Sequence, residues 1–426
     1  MSLSRRSLVV GLVTAPALHL AASRAEASAD LQAAIEDATR RGQSYRLPRG
    51  VTRTRGLTLP GGAHLVGASG GSTLRLVGDG PLLRASHVDS LRLEGVTFAG
   101  DPRGATDGGL AQFTSVPRLR IETCVFTDAA RDGLRLERCG GRIAGNTINR
   151  IGRGGLFSVD AVGLEIERNI VEDCGDNGIQ VWRWTQGYDG ARIAGNRIRS
   201  IRTRSGGSGE NGNAISIFRA GGVSVIGNET RDAAFSAVRN NSGRGVVISD
   251  NICVNSGETA IFAEFAFRDV TIANNRVEGA AAGISMTNLD HNGRGATCTG
   301  NIVRDIRPYV APDGVTYTKQ RGIHAEADAR VAGNVVDGSP WTCIHLGWGP
   351  FLQNVTAEDN IVRNAPYGIS ASVAPGAGRC RVARNSIGHV GKAAIVAMRW
   401  DEVVADNLID GCGKWAHLEC ADNRRI

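Results

Sequence analysis

Three short stretches set the pattern of this chain: Gly145-Asn146-Thr147-Ile148, Arg168-Asn169-Ile170-Val171 and Gly195-Asn196-Arg197-Ile198. Each places an asparagine two residues before an aliphatic residue. Equivalent asparagines follow at Asn228, Asn251, Asn275, Asn301, Asn334, Asn360, Asn385 and Asn407. The intervals average about 26 residues, and a repeat of this length through more than half of the chain predicts a solenoid.

A second element lies between successive asparagines. It is a Gly or Ala followed by aliphatic residues at alternate positions, as in Gly178-Ile179-Gln180-Val181 and Gly283-Ile284-Ser285-Met286. This alternation indicates short strands with one buried face. Because such a unit cannot bury its own face, it must stack on its neighbours, with strands about 4.8 Å apart. At the same turn of each coil, an asparagine amide can bond the asparagines above and below, so we interpret these residues as structural.

The asparagine repeat resembles the right-handed parallel β-helices of the pectin-lyase-like superfamily. The start of the chain is also similar, because Leu31, Ile35 and Ala38 share one face of a short helix. In that superfamily such a helix caps the open end of the core. The resemblance implies an all-β, single-stranded right-handed parallel β-helix, with residues 28–60 as N-terminal cap and first coil and residues 61–426 as the repeats.

Residues 1–27 are interpreted as a signal peptide. Arg5 and Arg6 precede an apolar stretch from Leu8 to Ala22, and Ala25-Glu26-Ala27 has a small-x-small cleavage pattern. This segment resembles a twin-arginine signal peptide, and signal and repeats together most resemble a family of twin-arginine-translocated repeat proteins. It implies export of the folded chain by the twin-arginine translocase to the periplasm or the medium. The apolar stretch is too short for a membrane span, so no stable membrane insertion is expected.

The charge and the cysteines of the chain limit the expected partners and cofactors. The formal net charge is +7, but the arginines are scattered without a basic run, so no nucleic-acid partner is expected. The nine cysteines are too many to pair completely, and several fall at comparable places in the repeats, so buried free thiols are expected. The sequence does not decide whether Cys412 and Cys420 form a disulfide bridge. No paired Cys or His spacing suggests a metal, so no cofactor is predicted, and we expect a monomer.

The strand alternation also predicts which side chains face outward. The predicted first column is Arg135, Phe157, Gln180, Ser216, Arg239, Phe262, Ser285, His324, His345, Ser370 and Val396. The predicted second column is Glu137, Val159, Trp182, Phe218, Asn241, Glu264, Thr287, Glu326, Gly347, Ser372 and Met398. Extra residues in long repeats must leave as loops, such as the glycine-rich residues 204–211, which could wall this face.

The middle of these columns predicts a carbohydrate site. The candidate substrate-binding residues are Gln180, Trp182, Trp184, Phe218, Asn241 and Trp348. Sugar rings stack on tryptophan faces and their hydroxyl groups need polar partners, so the expected ligand is a polysaccharide or an acidic glycan. Packing of these aromatic residues on one another across coils is the simpler alternative.

Catalysis on the same strip is a separate question. The candidate catalytic residues are Arg239, Glu264, His324, Glu326 and His345. Glu264 and Glu326 could act as the acid and base of a glycosidase, and His324 could be a base beside Arg239 in a lyase. Solvated side chains on a sheet face are the simpler alternative. The polygalacturonase motifs and the calcium-binding aspartates of the superfamily are missing, so no catalytic role is carried over.

Three functions are compatible with these residues. A carbohydrate-binding β-helix without catalysis is the first, a polysaccharide lyase or glycoside hydrolase is the second, and a structural or assembly protein of the cell envelope is the third. The tryptophans of the strip favour a carbohydrate ligand, and the missing catalytic motifs favour binding over cleavage.

Overall fold

The computed structural model describes residues 29–104, 108–311 and 314–426. The predicted signal peptide, with Arg5 and Arg6, lies outside the described residues. From residue 45 onward the chain winds through successive coils, and the strands of neighbouring coils pair in parallel. No helix in the described ranges is both long and apolar enough to cross a membrane.

The first sheet contains the strand that precedes the repeated asparagine in each coil. Within the described ranges its fifteen strands are Tyr45–Arg46, His64–Val66, Ser90–Glu94, Arg118–Glu122, Gly141–Ala144, Glu165–Glu167, Arg192–Ala194, Ser224–Ile226, Val247–Ser249, Arg268–Ala273, Arg294–Thr299, Ala327–Ala332, Gln353–Glu358, Cys380–Ala383 and Leu418–Ala421.

The second sheet follows the asparagine. Its strands are Gly50–Thr54, Ser72–Leu76, Val96–Ala99, Val125–Ala129, Thr147–Ile151, Ile170–Cys174, Arg197–Ile201, Glu229–Ala233, Ile252–Ser256, Arg276–Glu278, Ile302–Arg304, Val335–Asp337, the first parts of Ile361–Ser372 and Ser386–Arg399, and Arg424–Arg425.

The third sheet carries the Gly-aliphatic element and both predicted columns. Its strands are Leu57–Thr58, Leu83–Ser86, Gly109–Thr114, Asp132–Glu137, Gly154–Val159, Asn177–Tyr188, Ile215–Gly221, Val238–Asn241, Thr259–Glu264, Ala282–Met286, Arg321–Ala325, Thr342–Leu346 and the second parts of Ile361–Ser372 and Ser386–Arg399. Two further elements are antiparallel: Glu402–Ala405 pairs with Ser386–Arg399, and Tyr309–Val310 pairs with Thr316–Tyr317. Short 3-10 helices cover Leu289–His291 and Leu408–Asp410.

A helix over residues 29–40 covers the first coils, as the sequence predicts. Its Leu31 and Ile35 are buried in the common core. Gln32 holds it in place, because its amide donates to the Thr58 carbonyl at 2.7 Å and its oxygen accepts from the Thr58 backbone N–H at 3.0 Å. These two bonds satisfy backbone groups at the edge of the third sheet, which would otherwise be open to pairing.

The repeated asparagines form the predicted ladder. Asn275 is typical: its Nδ2 donates to Asn301 Oδ1 at 3.0 Å and to the Ile248 carbonyl at 2.9 Å. Its Oδ1 accepts from Asn251 Nδ2 at 2.9 Å and from the Asn251 backbone N–H at 3.0 Å. The buried amide therefore satisfies both donors and both acceptor sites inside the core.

The residue before each ladder asparagine turns the chain out of the first sheet. Gly145, Arg168 and Gly195 have φ angles of 64°, 51° and 62°. This left-handed conformation favours Gly, Asn and Asp, which explains why those types recur at this position. A corner of this kind in every coil keeps the strands short.

The end of the ladder differs from the sequence prediction. Asn385 donates to Asn423 Oδ1 at 2.9 Å, so Asn423 and not Asn407 is the last step. Asn407 is exposed and lies at the start of the 3-10 helix Leu408–Asp410. The prediction of Asn407 was wrong because the chain leaves the coil after Arg399 as an antiparallel strand and returns at Leu418.

The core between the sheets consists of aliphatic side chains and cysteines, with few rings. The free cysteines are Cys124, Cys139, Cys174, Cys253, Cys298, Cys343 and Cys380, and all are buried. Burial raises the pKa of the Cys124 thiol to about 12, so it is a thiol at neutral pH. Cys412 and Cys420 form the disulfide that the sequence left open.

Candidate functional site

The third sheet holds both predicted columns in the expected register. Its strands pair Arg135 with Phe157, Phe157 with Gln180, and Gln180 with Ser216. The first column continues in register through Arg239, Phe262, Ser285, His324, His345, Ser370 and Val396. The second column is paired from Glu137 to Glu264, whereas Thr287, Glu326 and Gly347 follow directly after their strands. The predicted alternation is therefore confirmed.

These outward positions are much less exposed than a bare sheet face would be. Arg239 is 8% exposed, Glu264 3%, Glu326 5% and His345 0%. The interpretation of these groups as solvated is wrong, because Gly209 lies against Arg239, the Leu289 N–H donates to Glu326, and Trp341 packs on His345. Charged groups buried in this way need specific partners.

A pocket of about 310 Å³ lies on the open part of the third sheet. It is lined by Trp182, Ser208, Gly209, Glu210, Ser216, Phe218, Arg239, Asn241, Glu264 and Phe265. The glycine-rich loop 204–211 walls it, as the repeat lengths suggested. The loop is anchored by Ser205, whose hydroxyl and backbone N–H donate to the Asp176 carboxylate at 2.7 and 2.8 Å.

A neighbouring pocket of about 250 Å³ shares Trp182 with the first. It is lined by Asp132, Arg135, Arg153, Gly154, Phe157, Asp176, Asn177, Gln180, Trp182, Trp184 and Asn211. We call the two pockets together the groove. It crosses six strands, from Asp132–Glu137 to Thr259–Glu264, which corresponds to roughly 24 Å along the solenoid axis.

Aromatic rings form the floor of the groove. Trp182 lies between Phe157 and Phe218, with ring centroids 5.3 and 5.4 Å apart. Its Nε1 donates to Ser216 Oγ at 3.2 Å, which fixes the ring orientation. Trp182 and Phe218 are part-exposed and Trp184 is 52% exposed. The aromatic residues therefore pack on one another across coils, as in the simpler alternative. Part of their surface is also left open to a ligand.

An ion-pair network lies under one end of the groove. Arg239 donates Nε and Nη2 to the two oxygens of Glu264, each at 2.7 Å, and Nη1 to Glu258 at 2.8 Å. Asn241 Nδ2 adds a bond to Glu264 Oε1 at 3.0 Å, and Phe262 lies 5.0 Å from the guanidinium. Burial opposes the charge on Arg239, but the two glutamates outweigh it and raise the arginine pKa.

The network has one partner that the sequence did not indicate. Glu258 lies at the corner before the strand Thr259–Glu264, where alternation assigns no direction to a side chain. Burial raises its pKa, the Arg239 charge lowers it, and the Glu264 charge raises it further. Ser208, Gly209 and Glu210 were expected only as part of a loop.

The remaining catalytic candidates form a separate cluster further along the sheet. The rings of His324 and His345 are 4.8 Å apart, and the Nε2 atoms of both are buried without a hydrogen-bond partner. His345 Nδ1 is 2.6 Å from Ser370 Oγ. Glu326 Oε1 lies 4.0 Å from His324 Nε2, while Glu326 Oε2 accepts from the Leu289 N–H at 2.9 Å.

Trp341 packs against this cluster, with its ring centroid 5.3 Å from that of His345. Arg321 lies 4.7 Å from the Trp341 ring and pairs with Asp401 at 3.0 Å. Burial lowers the pKa of both histidines well below 6.5, and the Arg321 charge lowers them further. Burial raises the pKa of Glu326 to about 7. No cluster of three or more metal-ligating side chains occurs in the described part of the chain.

The structure thus divides the predicted site residues. Gln180, Trp182, Trp184, Phe218, Arg239, Asn241 and Glu264 line the groove. His324, Glu326 and His345 belong to the covered cluster. Trp348 lies apart from both and packs edge-on against Trp400, with centroids 4.6 Å apart.

Comparison with known proteins identifies the fold. Residues 92–198 match a family model described as a right handed beta helix region. The A-module of a mannuronan C-5 epimerase of Azotobacter vinelandii aligns over 87% of this chain and 95% of its own, with a TM-score of 0.50 and 16% identity. The fold is a right-handed parallel β-helix. The catalytic unit of an α-1,3-glucanase of Streptomyces thermodiastaticus aligns with this β-helix over 94% of the chain and 65% of its own, with a TM-score of 0.50 and 13% identity.

At these identities the likeness concerns the β-helix fold alone. None of the curated proteins compared matches the sequence significantly. The expected membership of a twin-arginine-translocated repeat family therefore stays a prediction, and the function of the β-helix must be argued from its groove.

Proposed function

We propose that this β-helix binds a polysaccharide chain in the groove. The observation that carries the proposal is the Phe157–Trp182–Phe218 floor, which lies between polar walls. Aromatic faces stack on the apolar faces of sugar rings, and the amide and carboxylate groups alongside can bond sugar hydroxyls. The two proteins of similar fold are named as an epimerase of mannuronan and a glucanase. Both names refer to polysaccharides, which supports this class of ligand.

The dimensions of the groove favour a polymer over a single sugar. Its length of roughly 24 Å, estimated from six stacked strands, exceeds one monosaccharide. Trp182 lines both pockets, so a chain that occupies both must pass over its ring. Affinity should therefore rise with oligosaccharide length until the groove is filled.

Replacing Trp182 with alanine is expected to weaken polysaccharide binding by about tenfold or more, because it removes the surface shared by both pockets. Affinity electrophoresis or calorimetry against a panel of neutral and uronate polymers measures the effect. Tyr188→Ala is the matched control, since Tyr188 is 78% exposed on the same strand but lies outside the lining. An unchanged affinity of Trp182→Ala, with its melting temperature preserved, would remove the basis of the proposal.

Cleavage of the bound polymer is the second candidate function. Glu258 and Glu264 flank one guanidinium under the groove, and burial raises the pKa of Glu258. However, both oxygens of Glu264 accept from Arg239, so Glu264 is held in an ion-pair network in this structure. Release of reducing ends would indicate hydrolysis, and ultraviolet-absorbing unsaturated products would indicate a lyase.

We also propose that the chain acts outside the cytoplasm. Arg5 and Arg6 support export by the twin-arginine translocase, and the Cys412–Cys420 disulfide is typical of an oxidising compartment. Replacing both arginines with lysine is expected to leave the uncleaved precursor in the cytoplasm, as judged by cell fractionation. Normal processing of that variant would contradict this route.

A further inference from the structure

The groove contains more acidic than basic side chains. The acidic side chains along it are Asp132, Asp176, Glu210 and Glu264 of the lining, and Glu258 behind them. The basic side chains of the lining are Arg135, Arg153 and Arg239. The described groove therefore holds more carboxylates than guanidinium groups, although the whole chain is basic.

Each guanidinium of the lining lies beside a carboxylate, and Arg239 is the most fully paired of the three. Arg239 uses Nε, Nη1 and Nη2 on Glu264 and Glu258. Gly209 lies so close above it that an added Cβ would be 2.2 Å from Nη1, so the loop backbone closes off its face. A uronate could reach Arg239 only by displacing a glutamate and leaving that buried glutamate without its partner.

The other two arginines are also engaged. Arg135 donates to Asp132 at 3.1 Å and lies 4.7 Å from the Phe157 ring. Arg153 Nε lies 3.6 Å from Asp176, a carboxylate that also anchors the loop through Ser205. Arginine is the usual partner of a ligand carboxylate, and here each lining arginine already lies beside a protein carboxylate with which a ligand carboxylate would have to compete.

From this arrangement we infer that the groove is selective for neutral glycans and rejects uronate polymers. The inference rests on the proposed function and revises the expected acidic-glycan partner. Glu210 is exposed on the loop wall, so its charge faces an incoming chain directly. Every uronate residue would bring a carboxylate toward this wall, whereas neutral hydroxyl groups can donate to the same oxygens.

A further guanidinium, that of Arg219, lies near the groove. Arg219 lies 4.6 Å from the Phe218 ring and donates to the Trp184 carbonyl oxygen at 2.9 Å. It is outside the lining, and its contacts hold it against the outer side of the floor. If a uronate did bind, its carboxylate would depend on Arg219 or on the exposed part of Arg153.

The test compares a polyuronate with its fully methyl-esterified form, which keeps the backbone and removes the charge. We expect the full chain to bind the ester and a neutral glucan or galactan at least about tenfold more tightly than the free uronate at low salt. Added salt should narrow the difference. Glu210→Gln and Glu258→Gln should also narrow it, because each removes a negative charge that repels the uronate.

The outcomes separate this inference from the proposed function. Equal or tighter binding of the free uronate, especially if it weakened in salt and in Arg219→Ala, would overturn neutral selectivity and leave polysaccharide binding intact. Binding of neither form, nor of any neutral polymer, would overturn both. Preference for the ester that persists unchanged in Glu210→Gln and Glu258→Gln would also contradict the electrostatic cause.

Discussion

Replacing Asn275 with aspartate is expected to destabilise the protein by about 3 kcal/mol or more. The change keeps the shape of the side chain and replaces its two donors by an acceptor. Asn301 Oδ1 and the Ile248 carbonyl would lose their partners and face a new carboxylate oxygen in the buried core. Chemical unfolding followed by circular dichroism, or the melting temperature if unfolding is irreversible, measures the loss.

Asn407→Asp is the matched control, because Asn407 has the same sequence motif but lies outside the ladder. It is exposed, and its φ of 61° suits aspartate as well as asparagine. We expect its stability to stay within about 0.5 kcal/mol of the wild type. Equal effects at the two positions would contradict the assignment of the ladder.

Glu326→Gln is expected to gain stability relative to the wild type as the pH rises. Burial raises the pKa of Glu326 from 4.5 to about 7 in the folded chain. Between these values the folded wild type holds a proton that the unfolded chain has released, so its free energy of unfolding falls as pH rises through this window. Glutamine has no such proton. The difference in the free energy of unfolding between variant and wild type should therefore change by about 3 kcal/mol between pH 4 and 8.

The two histidines beside Glu326 act in the opposite direction. Because their pKa values lie well below 6.5 in the folded chain, their contribution to stability is present above that pH and is lost as pH falls below it. They are common to wild type and variant, so the difference between the two unfolding curves isolates Glu326. Glu402→Gln, on an exposed strand residue, is the control. A pH-independent difference for Glu326→Gln would contradict a buried carboxyl whose pKa is raised in the folded chain.

The repeat made much of this fold predictable. A strand alternates with a period of two, so aliphatic positions such as Ile179 and Ile215 fix the register of every neighbouring side chain. The asparagine positions could be assigned because one amide must meet the next at a fixed turn. The same rule failed at Asn407, where the local motif recurs but the chain does not form a coil that places the asparagine in the ladder.

The site was less predictable because it depends on what covers the sheet. Alternation placed His345 outward, yet it is fully buried, since His324, Trp341 and Ser370 pack around it. Likewise, Glu258 lies at a corner, where no periodicity applies. Sequence could therefore group Trp182 with Phe218, but it could not reveal that Arg239 is held by two glutamates.

A crystal structure with a bound neutral oligosaccharide, long enough to span both pockets, tests the central claim most directly. We predict density for sugar rings across Trp182, with one part of the chain beside Asn241 and Glu210 and another beside Gln180. Sugar bound elsewhere, such as at the Trp348–Trp400 pair, with an empty groove would contradict the account.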